Sequence, residues 1–518
     1  MARAEGPAKQ TRTSLNEGSR QMSALLDDTN RLASGEDEPT RAEQSGKSDP
    51  AIINARLDRL VMCWPIWMIV GQLSLAFFFE LYAIFVTGYI APSLVQSGIL
   101  TATTQGLFGL TGVASFVAAL FAGLSIGTLS TGFLADWLGR RTVFLAALVW
   151  FAVASTIMAF QQSAFGLNLF RFFAGLGLGV EMVTISTYIS EIVPKQVRGR
   201  AFAFNQTLGF AAVPTVAFLS LFFASHPLFG WDGWRWVVLI GALGAGLAFF
   251  TGLSLLESPR WLAAQGRLAE ADKLVSVLEE RVSHVTGQPL AALPPTATTR
   301  QHVGSFADVW RPPYRRRALM LVVFNVFQTV GFYGFVNWAP TLLVSRGVTI
   351  VHSLTYVSVI ALAAPVGPLL GILFADRFER KYGIMLSAGL VAALGTVFGL
   401  THTPAVVIAT GVGITLFQNI LSFSYHAYQT ELFPTPIRAK AVGFVYAWSR
   451  ISAMFSAFII AYVLRLAGIA GVFALIAAAM LIVVAVIGPF GPRTLGRSVD
   501  GEMEESGPNT PSMRQQPR

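Results

Sequence analysis

Residues 132–141 read GFLADWLGRR and residues 372–381 read ILFADRFERK, each a knot of charge between two apolar runs. Asp136 with Arg140 and Arg141 in the first returns as Asp376 with Arg380 and Lys381 in the second, 240 residues on. The same offset carries Glu191, Pro194, Arg198 and Arg200 onto Glu431, Pro434, Arg438 and Lys440. Two separate clusters repeating at one offset divide the chain into two similar halves. Pro92 and Pro340 correspond at an offset of 248, which fits a length change between the first two helices of a half.

Between the charged knots the chain is oily. Hydrophobic residues make up 53% of its 518 positions and charged residues 13%, with mean hydropathy +0.58, which places it in the membrane class. A helix crosses a bilayer core in roughly 20 apolar residues. Twelve such stretches are present: 64–93, 107–134, 142–161, 164–190, 200–224, 234–256, 319–345, 352–375, 384–401, 404–430, 439–464 and 468–489. The fold class expected is therefore an all-α membrane protein, with one six-helix bundle over 61–256 and a second over 319–490. The polar segment 257–318 joins them. Its Ser258 cap, its Pro259 and the helical spacing of Trp261, Leu262, Leu268, Leu274, Val277 and Leu278, broken at Gly266, predict short amphipathic helices. Residues 1–60 and 491–518 are polar, have no apolar signal core, and read as disordered tails.

The formal charge of +9 is spread over short loops, not gathered on a basic domain, so it argues against a nucleic-acid partner. It does set topology. With both termini cytoplasmic, the inner loops hold Arg140, Arg141, Lys195, Arg198, Arg200, Arg377, Arg380, Lys381, Arg438 and Lys440, against Arg235, Arg346 and Arg465 outside. The lone cysteine, Cys63, excludes an internal disulfide and stands at the inner end of the first span. No phosphate-binding Gly-Lys-Ser/Thr loop, metal-ligand spacing or Gly-x-Ser-x-Gly elbow occurs, so ATP-driven transport, a metal or other cofactor and enzymatic hydrolysis are not expected.

Gly132, Asp136, Gly139, Arg140 and Arg141, then Arg171, Gly175, Gly177, Gly179, Glu191, Pro194, Arg198 and Gly199, resemble the signature of the major facilitator superfamily. Glu257, Ser258, Pro259, Arg260, Trp261 and Leu262 look like its sugar-porter and metabolite:proton symporter branch. The resemblance covers roughly residues 60–490. It implies twelve helices in two pseudo-symmetric bundles and alternating access to a small solute, in a cell membrane and as a monomer, without enzymatic activity. Around Gly331 only Gln328 remains of the polar groups usual in sugar porters, with Phe327 and Tyr333 at the other two places. Helix 10 carries Asn419, Ser422, Phe423, Ser424, Tyr425 and His426 where those porters have a proline and tryptophan motif. These departures demote hexose. The Phe79–Tyr82 stretch and Trp448, Ser449 and Arg450 look closer to carriers of organic or aromatic acids, so proton-coupled uptake of such an acid is expected. Sugar or polyol symport and drug or metabolite efflux are the alternatives.

A charge at mid-bilayer costs about 2.5–3.5 kcal/mol on insertion scales, so each one calls for a partner or a task. At about 1.5 Å per residue, Glu80 and Arg171 fall at similar depths and are expected to pair. By resemblance to proton-coupled relatives, they would form the proton switch. A helix 11 arginine attracts the anion in organic-anion relatives, a role that passes here to Arg450, with Glu181 as an alternative intramolecular partner. Glu181 itself is expected in the cytoplasmic charge network. Further candidate substrate ligands are Gln328, Gln206, Tyr333, Asn337, Tyr425 and His426, with Trp338 and Trp448 as neighbouring aromatics. Asp136, Arg140, Arg141, Glu191 and Arg198, with Asp376, Arg380, Glu431 and Arg438, are expected to bridge helix ends as a cytoplasmic gate. Gly123 and Gly127, and Gly175 and Gly179, would let helices touch closely.

Overall fold

The computed structural model describes residues 50–101, 103–104, 111–194, 197–226, 228–293, 305–374 and 379–494. With no water in a bilayer core, each backbone amide there must be satisfied within its own helix, and the apolar stretches comply. The spans are α1 (Trp64–Gln96), α2 (Gly112–Leu138), α3 (Arg140–Ala159), α4 (Ala164–Ile192), α5 (Arg198–Ser225) and α6 (Gly233–Gly252), then α7 (Tyr314–Val336), α8 (Ile350–Leu370), α9 (Arg380–Leu400) and α10 (Pro404–Glu431). The last 56 helical residues, Thr435–Phe490, break at Gly468, whose φ of +63° only glycine adopts readily. That break separates α11 (435–467) from α12 (469–490).

Within the first half the glycines set the spacing. A Cβ at Gly123 or Gly127 would come within 2.0 or 2.1 Å of the carbonyl oxygens of Phe172 and Leu176 on α4. One at Gly175 or Gly179 would lie 2.3 Å from those of Leu120 and Leu124 on α2. The two helices meet backbone to backbone, and hydroxyls on α2 bond mainly to their own helix, Thr128 Oγ1 to Leu124 O at 2.8 Å and Thr131 Oγ1 to Gly127 O at 2.7 Å, while both also reach Gly179 O of α4 at 3.4 Å. The halves meet where α2 lies against the α11–α12 segment and α5 against α8. They also meet at Gly88 of α1, where a Cβ would stand 2.7 Å from Asn337 Cα just beyond α7.

The segment after α6 docks on the Asp136–Arg141 loop. Glu257 presents its carboxylate to the N-terminus of α3, accepting from Arg140 N at 2.9 Å and Arg141 N at 3.1 Å. Trp261 Nε1 and Gln265 Nε2 donate to Asp136 O at 2.9 and 2.8 Å. Ser258 caps the short helix Pro259–Ala264, Gly266 turns the chain at φ +77°, and Leu268–Thr286 follows with Ala271, Val275, Leu278 and Val282 buried. Burial raises the Glu257 carboxyl above its usual range despite the backbone donors around it.

Both expected tail boundaries shift. Pro50–Asp58 is a helix with Ile53 and Leu57 fully buried, clasped to Leu268–Thr286. Arg56 pairs with Asp272 and, at 2.7 Å, with Glu279; Arg59 pairs with Glu279 at 2.6 Å, and Arg260 with Asp58 at 2.7 Å. At the other end Thr494 N donates to Glu379 Oε1 at 2.9 Å and Tyr428 Oη to Pro492 O at 2.8 Å. Sequence patterning missed both because the contacts that order these polar stretches come from elements more than 60 residues away.

Candidate functional site

Between the halves lies a cavity of about 60 Å³, room for a few water molecules. From the first half, α1 contributes Phe77, Leu81 and Phe85, α4 Met182, and α5 Gln206 and Phe210. The second half contributes Gln328, Thr329, Phe332 and Tyr333 of α7, Ser422, Tyr425 and His426 of α10, and Tyr446, Ser449 and Arg450 of α11. Of the residues expected from sequence, Arg450, Gln328, Gln206, Tyr333, Tyr425 and His426 come together here.

Arg450 organises the polar wall. It is 2% exposed and pairs with no carboxylate among the described residues. Nη1 donates to Tyr333 Oη at 3.1 Å, and Nη2 donates to Tyr446 Oη at 2.6 Å and lies 2.8 Å from Met182 Sδ. The guanidinium carbon stands 4.8 Å from the centre of the Tyr446 ring, a cation–π contact, and Nε has no hydrogen-bond partner among the described residues. A thioether is a weak acceptor, so an arriving anion would displace it readily. His426 is fixed as well. Its Nδ1 lies 2.7 Å from Ser422 O, which can only accept, so Nδ1 carries a proton, and Nε2 is hydrogen-bonded with Tyr425 Oη at 3.2 Å.

Several expected ligands lie elsewhere. Asn337 is fully buried at the crossing with Gly88, outside the cavity, with neither side-chain amide atom hydrogen-bonded among the described residues. Trp338 is buried away from the cavity, and Trp448 is 38% exposed beside Phe444. The spacing that puts them near the site along the chain ignores rotation about the helix axis. Sequence reasoning in turn missed Tyr446, one helical turn before Arg450, and the stripe Phe77, Leu81 and Phe85 on α1, whose four-residue intervals were a readable signal. Met182 gave no signal.

The expected contact between Glu80 and Arg171 is not made in this structure. Arg171 is 1% exposed; its Nη2 donates to Ala83 O at 2.7 Å and to Thr87 Oγ1, one and two turns beyond Glu80, and its carbon lies 4.9 Å from the Phe116 ring centre. Glu80 is fully buried and neither oxygen has a hydrogen-bond partner among the described residues. Glu181, expected in the cytoplasmic network, is instead 1% exposed and equally without one.

Of the expected gate residues, Arg140 pairs with Asp136 at 2.9 Å and with Glu191 at 3.1 Å, joining α2, α3 and α4. Arg380 pairs with Glu431 in the corresponding place. Both clusters tie helix ends inside one half. Arg141 Nη2 donates to Leu253 O at 2.7 Å, Arg198 Nη2 to Val193 O at 3.3 Å and Arg438 Nε to Phe433 O at 3.0 Å. Asp376 lies outside the described residues.

A two-half, twelve-helix bundle around a central cavity defines a secondary transporter of the major facilitator fold. Residues 72–505 match the family described as sugar (and other) transporter, and the chain belongs to that family. It is 31% identical over 445 residues to a putative metabolite transport protein, YyaJ, of Bacillus subtilis, covering 86% of this chain and 96% of that one. The niacin transporter NiaP of Acinetobacter baylyi is 28% identical over 416 residues, 80% of this chain and 91% of its own. The fold matches a partially occluded, inward-open structure of the Escherichia coli xylose transporter XylE with TM-score 0.67 at 19% identity, over 84% of this chain and 99% of that one.

Proposed function

We propose that the protein carries a small organic or aromatic acid across the cell membrane together with protons, with both termini in the cytoplasm. The observation that carries this reading is Arg450: a buried guanidinium in the central cavity, held by two tyrosine hydroxyls and a thioether instead of a carboxylate. A buried guanidinium that no carboxylate hydrogen-bonds is costly, and a substrate carboxylate arriving at the Nη atoms would engage it with charge-assisted hydrogen bonds. Phe77, Phe85, Phe210, Phe332 and Tyr425 would face the flat, apolar part of such a substrate, while Gln206, Gln328 and His426 offer neutral polar contacts. The niacin carried by one relative is an acid of this kind. The cavity is narrow, so admitting a ring requires its walls to part.

Proton coupling is assigned to Glu80 of α1 and Arg171 of α4, whose contact would form and break during the cycle, and the helix-end ion clusters brace each half while the halves rock. The test is uptake by purified protein in proteoliposomes under an imposed pH gradient, with benzoate-like, nicotinate-like, dicarboxylate and hexose solutes. Acid-stimulated accumulation of a monocarboxylate is the expected result. Uptake of hexose alone would replace this reading with sugar symport.

A further inference from the structure

The two ends at which α1 and α7 enter the membrane differ in charge. Just before α1, Arg56, Asp58 and Arg59 all lie in ion pairs, with Asp272, Glu279 and Arg260. Before and within the first turn of α7 stand Arg311, Arg315, Arg316 and Arg317. The acids among the described residues 305–494 are Asp308, Glu379 and Glu431, and each is engaged elsewhere. Asp308 pairs with Arg311 at 3.3 Å and accepts from Ser305 N at 2.7 Å, Glu379 accepts from Thr494 N at 2.9 Å, and Glu431 pairs with Arg380. Arg317 Nη1 donates to Leu432 O at 3.0 Å. Arg315 and Arg316 are exposed, and neither side chain has a hydrogen-bond or ion-pair partner among the described residues. Arg316 only rests its guanidinium 5.9 Å from the centre of the Phe490 ring, at the end of α12.

Apolar surface adjoins these cations. Phe306 and Trp310, in the short turn that precedes α7, meet Phe444 of α11 edge-on with ring centres 5.7 and 5.5 Å apart, and Phe444 meets Trp448 at 6.5 Å. Phe306, Trp310, Trp448 and Phe490 nevertheless stay 37–54% exposed, and Leu319, one turn into α7 from Arg315, is 50% exposed. Exposed rings at the end of a span suit the layer where lipid headgroups meet the acyl chains. An arginine there lays its stem on hydrocarbon and holds its fork at the depth of the phosphates, whose geometry it matches.

We propose that the base of α7 binds an anionic phospholipid, with Arg315 and Arg316 holding the phosphate and Phe490 and Leu319 receiving the start of an acyl chain. The lipid supplies to the second half the negative charge that Asp272 and Glu279 supply to the first. The site does not depend on which solute the cavity carries. A soluble phosphate would bring the charge alone, as would Asp500, Glu502, Glu504 and Glu505 near the end of the chain. The exposed rings and Leu319 favour an occupant that brings hydrocarbon as well.

Native mass spectrometry of the full chain in neutral detergent, with phosphatidylglycerol or phosphatidylcholine added, counts the lipids retained, and the melting temperature gives a second readout. Phosphatidylglycerol should be retained in preference, raise the melting temperature more, and bind less tightly as salt increases. Loss of an arginine from an anionic surface weakens binding about fivefold, so Arg315→Gln with Arg316→Gln should weaken phosphatidylglycerol binding about 25-fold. Arg315→Lys with Arg316→Lys should keep most of the binding. Arg267→Gln with Lys273→Gln removes two exposed charges elsewhere and should keep all of it. Equal losses in the glutamine pair and in that control would reduce the effect to net charge and overturn the site. So would equal retention of the two lipids by the wild type, a result that decides the matter even if the glutamine pair does not fold. Displacement of the lipid by an equal concentration of glycerol 1-phosphate would assign the arginines to a soluble phosphate. Lipid binding that appears only after the four terminal acids are changed to Asn or Gln would assign them to the chain's own tail, and either result overturns the proposal.

Discussion

At the scale of single residues, three side chains and one glycine carry most of the argument. Arg450 presents two Nη atoms from a planar fork, and a lysine offers one point charge that reaches Tyr333 and Tyr446 less well. Arg450→Lys is therefore expected to raise the apparent KM for a carboxylate about tenfold or more, the worth of one charge-assisted hydrogen bond at about 1.5–3 kcal/mol, measured by initial uptake rates. The sequence displayed Arg450 as a charge in an apolar helix. It did not display that Glu80 and Arg171 miss one another, since equal depth in the bilayer leaves rotation about each helix undecided. Gly139 shows how the signature loop is built: its φ is +91°, and a Cβ there would stand 2.4 Å from Glu257 Oε2, the carboxylate that caps α3. Gly139→Ala should lower stability by about 1–3 kcal/mol, seen as a reduced melting temperature in detergent.

At the scale of elements, close helix contact and ionic clasping act by different physics. The α2–α4 crossing has no room for a side chain at Gly123, where the Phe172 carbonyl would be 2.0 Å from a Cβ. Gly123→Val should therefore separate the two helices and lower the yield of folded protein in size-exclusion chromatography, more than the same change at Gly246, which faces open space. The clasp of Pro50–Asp58 on Leu268–Thr286 depends on charge. Burial would raise the Glu279 carboxyl, but Arg56 and Arg59 outweigh it and hold the group below the usual carboxylate range. A depressed acid stabilises above its unfolded pKa of about 4.3, and that contribution is lost as the pH falls through the lower folded value. Spin labels at Asn54 and Lys273 should accordingly stay close at neutral pH and move apart on acidification below about pH 4. Glu279→Gln should give the wider distance already at neutral pH. That 268–286 is an amphipathic helix was readable along the chain, although of the apolar positions read there only Leu278 lies on the buried face; its partner helix was not readable, because Arg56 and Glu279 are joined only by the fold.

At the scale of the whole molecule, two similar halves enclose a small cavity and touch tightly where Gly88 meets Asn337. Gly88→Ala places a methyl 2.7 Å from the Asn337 Cα, so it should hold the halves apart on that face. The expected outcome is faster thiol labelling of a cysteine introduced at Phe85 in a Cys63→Ser background, with slower substrate-driven exchange. Composition, the repeat at 240 residues and the charged knots by themselves determined the class, the twelve spans and the division into halves, because lipid admits few ways to satisfy a backbone and the repeat fixes the rest. Only the tertiary structure decided which polar side chains share the cavity: it brought Tyr446 and Met182 to Arg450 and moved Asn337 to a helix crossing. The physical reason is rotational: hydropathy reports how deep a residue lies in the membrane, while the direction its side chain takes is set by close packing between helices that are distant in sequence.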